Sequence, residues 1–334
     1  MSLKRRLIPA VALVAVALPA TAAVAAAPTV HTLGVGSNPI DIAISAARAQ
    51  AYVANDGSVS VVNLRNNTQT AEISTGVNHG QTAIGSFENG FKVYIGDFAN
   101  NTMVAFNPKT QVVTPNIKVG AGATDIVNPS NGFAYVTTFS QQGAKGRVQV
   151  VKVSNNTLTR SIPLNQGAAT ATALPGTRFV WVGSVISGRL WVVDTRTDTV
   201  VNRFMATKSG PVAGIAFSPD KKQAWISGIG GVTVMDRASG KTLAFIPITR
   251  IFSGGPNAGP IAFNQAGTQV LIVNSTDPGN PGTGTVAAIN AKTRKVTERI
   301  PVGTEPTGMA LDYKRGMTYT TNFQDDTLSY FATP

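Results

Sequence analysis

A degenerate unit of about 44 residues returns seven times along this chain, and no other feature narrows the possible folds as far. Each copy has a segment of small residues and proline, a short first strand, a second strand of the form Tyr-Val-x-Asn, a polar turn and a Val-rich third strand. A Thr-rich turn then leads into a fourth strand. The first strands are read at residues 40–44, 82–85, 124–127, 169–173, 213–217, 260–263 and 307–311. Their Gly, Ala and Thr side chains suit a crowded central position. Turn residues recur at matching offsets between the third and fourth strands, as in Asn66-Asn67-Thr68, Asn155-Asn156-Thr157 and Ala291-Lys292-Thr293.

Repeats of this length with four strands each are blades of a β-propeller. The last repeat stops after its third strand, near Phe331, while residues 30–35 read as a lone fourth strand. Joined, the two complete one blade and leave no free sheet edge at the seam. The sequence therefore predicts an all-β, seven-bladed propeller with four antiparallel strands per blade. An N-terminal strand closes its ring.

The chain opens with Lys4, Arg5 and Arg6, followed by an apolar and small-residue stretch over 7–27 that contains Ala23-Val24-Ala25. This is the pattern of a secretory signal with a small-x-small cleavage site. The expected division is a signal peptide over 1–25 and the propeller over 26–334. A single membrane anchor is the competing reading of the same stretch, and Arg5-Arg6 matches the twin-arginine pattern only in part. No cysteine follows the apolar run, which excludes a lipid-modified anchor, and the whole chain has none. Thiol catalysis and thiolate metal sites are thereby excluded, and an exported protein of this size must be held by its core alone. The net charge is +12, or +9 without the three basic residues of the signal. The basic residues look scattered along the sequence, with no dense patch interleaved with aromatics, so nucleic acid is not an expected partner.

The segments between the second and third strands read Tyr52-Val53-Ala54-Asn55, Tyr94-Ile95-Gly96-Asp97-Phe98, Tyr135-Val136-Thr137-Thr138-Phe139 and Tyr319-Thr320-Thr321-Asn322-Phe323. They resemble the YVTN-repeat β-propellers of bacterial and archaeal envelope and secreted proteins. The resemblance covers nearly all of the mature chain. It implies a seven-bladed ring, export, and a binding or structural role, in a superfamily that also includes lactonase-like and quinoprotein-like members. The fourth and fifth repeats depart from it, with Val180-Trp181-Val182-Gly183 and Ala224-Trp225-Ile226-Ser227.

Chemistry-bearing residues are few. Asp41 and Asp125 occupy equivalent positions in the first and third inner strands. Thr82, Ala169, Ala213, Ile261 and Thr307 are read near that level in the other repeats. As a pair the two carboxylates offer an acid and a base, or oxygen ligands for a cation. The competing role, favoured here, is hydrogen bonding to the backbone of a neighbouring blade. His79 lies in a loop before the second inner strand and is a candidate base. No nucleophile-elbow motif surrounds any serine, and a solvent-facing loop residue is the simpler reading. Asp56, Asp97, Phe98, Phe139, Asn274, Asn322 and Phe323 fall in or beside the loops between second and third strands. They form a candidate recognition face for an envelope protein, a polysaccharide or a small ligand. Trp181, Trp191 and Trp225 read as core residues. Two inserts, over 140–146 and 275–284, depart from the repeat and are places where specificity can reside.

The expected function is that of an exported, non-catalytic binding or scaffold propeller of the cell envelope, periplasm or extracellular space. No cofactor, metal or permanent membrane span is expected, and a monomer is the working oligomeric state. The alternative is a lactonase-like hydrolase, a lyase or a quinoprotein-like oxidoreductase acting in the central channel. Lactone hydrolysis would need a polarised metal-bound water, for which Asp41 and Asp125 lack an evident third acidic partner.

Overall fold

The computed structural model describes residues 27–77, 81–87, 91–140, 145–184, 186–206, 211–228, 230–248, 259–274 and 283–334. It is built from strands alone among these residues. An N-terminal strand β1 (His31–Gly34) precedes blade 1, which is β2 (Asp41–Ser45), β3 (Gln50–Ala54), β4 (Ser58–Asn63) and β5 (Thr68–Ser74). Blade 2 is β6 (Gln81–Phe87), β7 (Lys92–Asp97), β8 (Thr102–Phe106) and β9 (Val113–Lys118). Blade 3 is β10 (Gly122–Val127), β11 (Phe133–Phe139), β12 (Gly146–Lys152) and β13 (Thr157–Pro163). Blade 4 is β14 (Ala168–Ala173), β15 (Phe179–Ser184), β16 (Arg189–Asp194) and β17 (Thr199–Met205). Blade 5 is β18 (Val212–Phe217), β19 (Gln223–Gly228), β20 (Gly231–Asp236) and β21 (Thr242–Pro247). Blade 6 is β22 (Ile261–Phe263), β23 (Gln269–Asn274), β24 (Thr285–Asn290) and β25 (Lys295–Pro301). Blade 7 is β26 (Pro306–Asp312), β27 (Met317–Asn322) and β28 (Thr327–Ala332), completed by β1.

All seven sheets are antiparallel, and the seven-bladed expectation holds, including the seam. His31 pairs with Tyr330 and Gly34 with Thr327. The closure continues past the strand, where Val35 N–H donates to the Asp326 carbonyl at 3.0 Å and Asn38 N–H to Asp326 Oδ1 at 2.7 Å. His31 also stacks on Tyr330 with ring centroids 5.2 Å apart.

The core is not one mass but seven. Each interface between neighbouring blades holds its own cluster of buried apolar side chains, from Tyr52, Val59 and Phe106 between blades 1 and 2 to Leu271, Val286 and Phe331 between blades 6 and 7. Each blade is therefore stable only against its neighbours, which is why the ring must close.

The repeat motif explains itself in these interfaces. In blades 2, 3 and 7 the tyrosine of the second strand reaches into the next blade's turn between strands three and four, whereas Tyr52 in blade 1 donates to Gln50 Oε1 at 2.7 Å. Tyr94 Oη donates to Asn156 Oδ1 at 2.7 Å, Tyr135 to Asp198 Oδ1 at 2.5 Å, and Tyr319 to Asn67 Oδ1 at 2.8 Å. All three acceptors sit at positive φ, 60°, 53° and 53°, a conformation that Asn and Asp tolerate better than most residues. Burial raises the Tyr94 and Tyr135 hydroxyls, which keeps them protonated as donors. The two repeats with tryptophan at this position substitute aromatic packing for this bond. Trp181 stacks on Phe204 and meets Phe217 edge-on, and Trp225 meets Phe263 edge-on. With Trp191 these tryptophans are core residues, as the sequence indicated.

The motif's asparagine is equally internal. In blade 7, Asn322 Nδ2 donates to Thr327 Oγ1 and Ser329 Oγ, both at 2.9 Å, and Oδ1 accepts from Gly303 N–H at 3.1 Å. A Cβ on Gly303 would fall 2.5 Å from Asn322 Cγ, so glycine is what lets that loop approach. Asn55 in blade 1 makes the matching pair of bonds to Ser58 and Ser60.

The outer strands are exposed edges, and bulges interrupt them at one recurring place. Register shifts occur at Val61/Val62, Val150/Val151, Val192/Val193, Val234/Met235 and Ala288/Ile289. In three of these the extra residue is a threonine whose hydroxyl donates to the adjacent strand's carbonyl: Thr70 to Val61, Thr159 to Val150 and Thr297 to Ala288. A bulge with its local twist makes the edge a poor template for another strand.

Candidate functional site

Two carboxylates line the central channel, and the fold holds both in the same way. Asp41 stands at the start of β2. Its Oδ1 accepts from Ile42 N–H at 2.9 Å, and its Oδ2 reaches blade 2 to accept from Ile84 N–H at 3.0 Å. Asp125 repeats the arrangement from blade 3 to blade 4. Its Oδ1 accepts from Ile126 N–H at 2.7 Å, and Oδ2 accepts from Ala171 N–H at 2.8 Å and Thr170 Oγ1 at 3.0 Å. Each aspartate thus clasps the innermost strand of the following blade. Threonine hydroxyls make the corresponding links elsewhere in the ring. Thr82 donates to Ala123 O, Thr124 to Ala168 O, Thr172 to Ile215 O and Thr307 to Pro39 O.

The channel electrostatics follow from this geometry. Burial pushes the Asp41 carboxyl up from 3.8 to about 7, and the charge of Asp125 across the channel adds to the rise, against the pull of the Ile84 and Ile42 N–H groups. Burial raises Asp125 as well, opposed by its bonds to Ala171, Thr170 and Ile126. The pair therefore favours holding a proton over carrying two charges. Both line a space of about 160 Å³, together with Thr170, Thr172, Gly214 and Pro260 among others. That is room for roughly five waters at about 30 Å³ each. It falls below the roughly 300 Å³ at which small-molecule pockets begin.

The sequence reads Ala169 and Ala213 near the level of the two aspartates, and the structure places each one residue before it. Asp41 lies opposite Ala54 and Asp125 opposite Thr137, each two residues past the aromatic of the second strand. In blades 4 and 5 that register position falls on Thr170, opposite Gly183, and Gly214, opposite Ser227. A bulge precedes the position in each of these inner strands, at Ala168/Thr170 and Val212/Gly214, as one does before Asp125 at Ala123/Asp125. Among the described residues no three His, Cys, Asp or Glu side chains converge as a metal site would require. His79 lies outside the described residues.

The candidate recognition residues separate into two groups. Asp97, Asn274 and Asn322 do not present their polar atoms outward; all three are buried. Asp97 closes its own turn, accepting from Asn100 N–H at 3.0 Å, Asn100 Nδ2 at 2.9 Å and Thr102 Oγ1 at 3.1 Å. Asn274 Nδ2 points to Thr285 Oγ1 at 3.4 Å. Asp97 is thus satisfied within its own turn, whereas Asn274 Oδ1 is buried without a hydrogen-bond partner. Asp56, Phe98, Phe139 and Phe323 retain partial exposure. Phe98 is nevertheless pressed against the next blade, where a Cβ on Gly122 would collide with its ring.

The end of the insert over 140–146, which the sequence marked for specificity, lines a groove between blades 3 and 4. This groove has a volume of about 660 Å³ and is lined by Lys145, Arg147, Pro163, Leu164, Asn165, Trp191 and Arg203. Arg147 and Pro163 are cross-strand partners in blade 3, and Trp191 and Arg203 are cross-strand partners in blade 4. Residues 56 positions apart in sequence therefore share one concavity. The signal that could have found it was a charge tally by blade. Blades 3 and 4 (residues 122–206) hold eight Lys and Arg against three Asp, net +5, more than the +4 of the remainder of residues 27–334. A second groove of about 570 Å³, lined by Pro129, Asn131, Gly176, Thr177, Arg178, Phe179 and Thr195, has its arginine neutralised by the Arg178–Asp194 pair at 2.8 Å.

No protein-family model matches the chain, and no curated protein matches it. Solved structures do: hydrazine synthase from Kuenenia stuttgartiensis superposes with a TM-score of 0.73 at 16% identity, over 95% of this chain and 99% of that one. At that identity the likeness is one of fold. The chain is a seven-bladed β-propeller. No helix among the described residues is long and apolar enough to cross a membrane.

Proposed function

We propose that this chain is an exported YVTN-type propeller that acts as a non-catalytic binding or scaffold protein of the cell envelope or extracellular space. The observation that carries the reading is the commitment of its polar groups. The channel carboxylates, Tyr94, Tyr135, Tyr319 and Asn322 are engaged in bonds that hold blade to blade or strand to strand, and the space beside the two aspartates, about 160 Å³, is small for an organic substrate. What remains open to a partner lies on the outside of the ring. Export rests on the basic head, the apolar stretch and Ala23-Val24-Ala25.

The test is to fractionate cells that produce the chain at native level and to weigh the purified protein intact, native and denatured. The reading expects a mature chain beginning near Ala26 outside the cytoplasm. Recovery of the chain in the cytoplasm with residues 1–25 attached would refute it.

One observation favours a second reading, catalysis in the channel: a carboxyl that titrates near 7 opposite another carboxyl is an acid–base pair suited to neutral pH. The fold neighbour is itself named as an enzyme. Asp41→Asn and Asp125→Asn separate the readings. Loss of a turnover that the folded wild-type protein displays would establish catalysis, whereas binding that survives both substitutions favours the scaffold.

A further inference from the structure

We propose that the groove between blades 3 and 4 binds a linear acidic polysaccharide, a chain of sugars carrying regularly spaced carboxylates. The proposal rests on the binding reading above and names its ligand class. Lys145, Arg147 and Arg203 are all exposed along the groove. Among the described residues, no carboxylate pairs with any of the three. The bond resolved for their side chains is Arg147 Nη1 to Ser161 Oγ at 3.0 Å, which fixes the guanidinium without neutralising it.

The three acids of these two blades are engaged elsewhere. Asp125 faces the channel, Asp194 pairs with Arg178 at 2.8 Å, and Asp198 accepts from Tyr135 Oη with Arg160 at 4.0 Å. The positive field of the groove is therefore uncompensated locally. Arg189 adds to it. It lies two residues before Trp191 on the same face of β16, and its Nε is buried without a hydrogen-bond partner.

The form of the site selects among anions. Lys145 and Arg147 belong to blade 3 and Arg203 to blade 4, so the cations line one groove from both sides. A polymer with repeating charges can engage all three, and weak contacts then add through local concentration. Arginine's planar fork suits carboxylates. Exposed Pro163 and Asn165 offer an apolar edge and an amide of the sort that sugar rings use. The groove's one aromatic, Trp191, is only 1% exposed, so it gives nucleobases no stacking platform.

The experiment titrates the full mature chain with oligogalacturonate by calorimetry, at low and at high salt. Its methyl ester serves as the neutral control, and oligo(dT) and anionic phospholipid vesicles as the competing classes. Two triple variants are compared. One is Lys145→Glu with Arg147→Glu and Arg203→Glu. The other changes charge equally on blades 5 and 6, with Lys241→Glu, Lys292→Glu and Lys295→Glu; all three of those lysines are exposed. Thermal unfolding confirms that both remain folded.

The expected result is binding that weakens with salt, is absent for the ester, and falls by about tenfold or more in the groove variant while the control variant keeps it. The proposal is overturned by equal loss in both variants, by equal binding of the ester, by tighter binding of oligo(dT) or vesicles, or by no binding of oligogalacturonate. If the chain is exported and binds none of these, the glycan assignment fails and the scaffold reading stands. If the chain remains in the cytoplasm, the scaffold reading fails whatever the groove binds.

Discussion

Raising the pH through neutrality should loosen this ring, because folding confines two carboxylates that resist ionisation together. The unfolded Asp41 titrates at its ordinary 3.8, and the folded one at about 7. A shift of this size at about 1.4 kcal/mol per unit sets an upper bound of roughly 4 kcal/mol for Asp41. The carboxylate keeps some contact with channel water, which reduces the figure to about 2 kcal/mol. A folded pKa raised above the unfolded one means that the folded state binds the proton more tightly. The contribution is then fully present below about pH 4 and is lost as pH rises through about 7, after which stability is level. Asp125, shifted in the same direction, adds to the slope. Asp220 and Asp236, both lowered chiefly by hydrogen bonds from Ser218 and Ser239, act in the opposite sense, and only as pH falls below about 4.

For a chain of this length about 2 kcal/mol corresponds to roughly 4 °C in Tm. Calorimetric scans at closely spaced pH values from about 4 to about 8.5 would resolve it. Asp41→Asn removes the ionisation but leaves one oxygen where two N–H donors need acceptors, so the slope with pH is the measurement and the absolute Tm is not. Side-chain carboxyl NMR on the same samples reports the titration directly. A wild-type Tm that is flat or rises over that range would refute the argument, as would a slope that persists unchanged when both aspartates are replaced by asparagine.

Other expectations test the blade-to-blade connections. Asn322→Ala removes three hydrogen bonds in a buried loop and should cost about 2–3 kcal/mol in denaturant unfolding; a loss below that of an exposed Asn→Ala change would contradict the internal role. Tyr94→Phe, which deletes the bond to Asn156, should cost about 1 kcal/mol, and combining it with Asn156→Ala should be less than additive in a double-mutant cycle. Gly122→Ala should destabilise by about 1–3 kcal/mol through collision with Phe98, and Phe98→Ala in the same chain should recover part of that loss if the contact is the cause. Removing residues 1–35 deletes β1 and bares β28, so size-exclusion chromatography should show self-association; a monodisperse, equally stable product would mean the seam is dispensable.

How far the sequence reached can be judged residue by residue. The seven blades, the seam between residues 30–35 and the last repeat, and the burial of Trp181, Trp191 and Trp225 were all legible, because strand alternation and turn chemistry are local. The equivalence of Asp41 and Asp125 was legible, whereas Thr170 and Gly214 as the residues at their level in blades 4 and 5 follow from strand register, which composition does not show. Asn322, Asn274 and Asp97 were recognisable as special and were assigned to a surface; all three side chains are instead buried, which residue type does not encode.

The same division separates the two sets of charges. That this chain forms a closed ring of antiparallel blades follows from its sequence alone, since each repeat has too little apolar surface to stand by itself and seven of them must share it around a circle. Which polar groups are consumed in joining blades, and which face outward with no counter-charge, was decided only by the tertiary structure. Arg147 and Arg203 belong to different blades, and only the packing of blade 3 against blade 4 brings them to one groove. Electrostatic fields add in space, and distance along the chain says nothing about them.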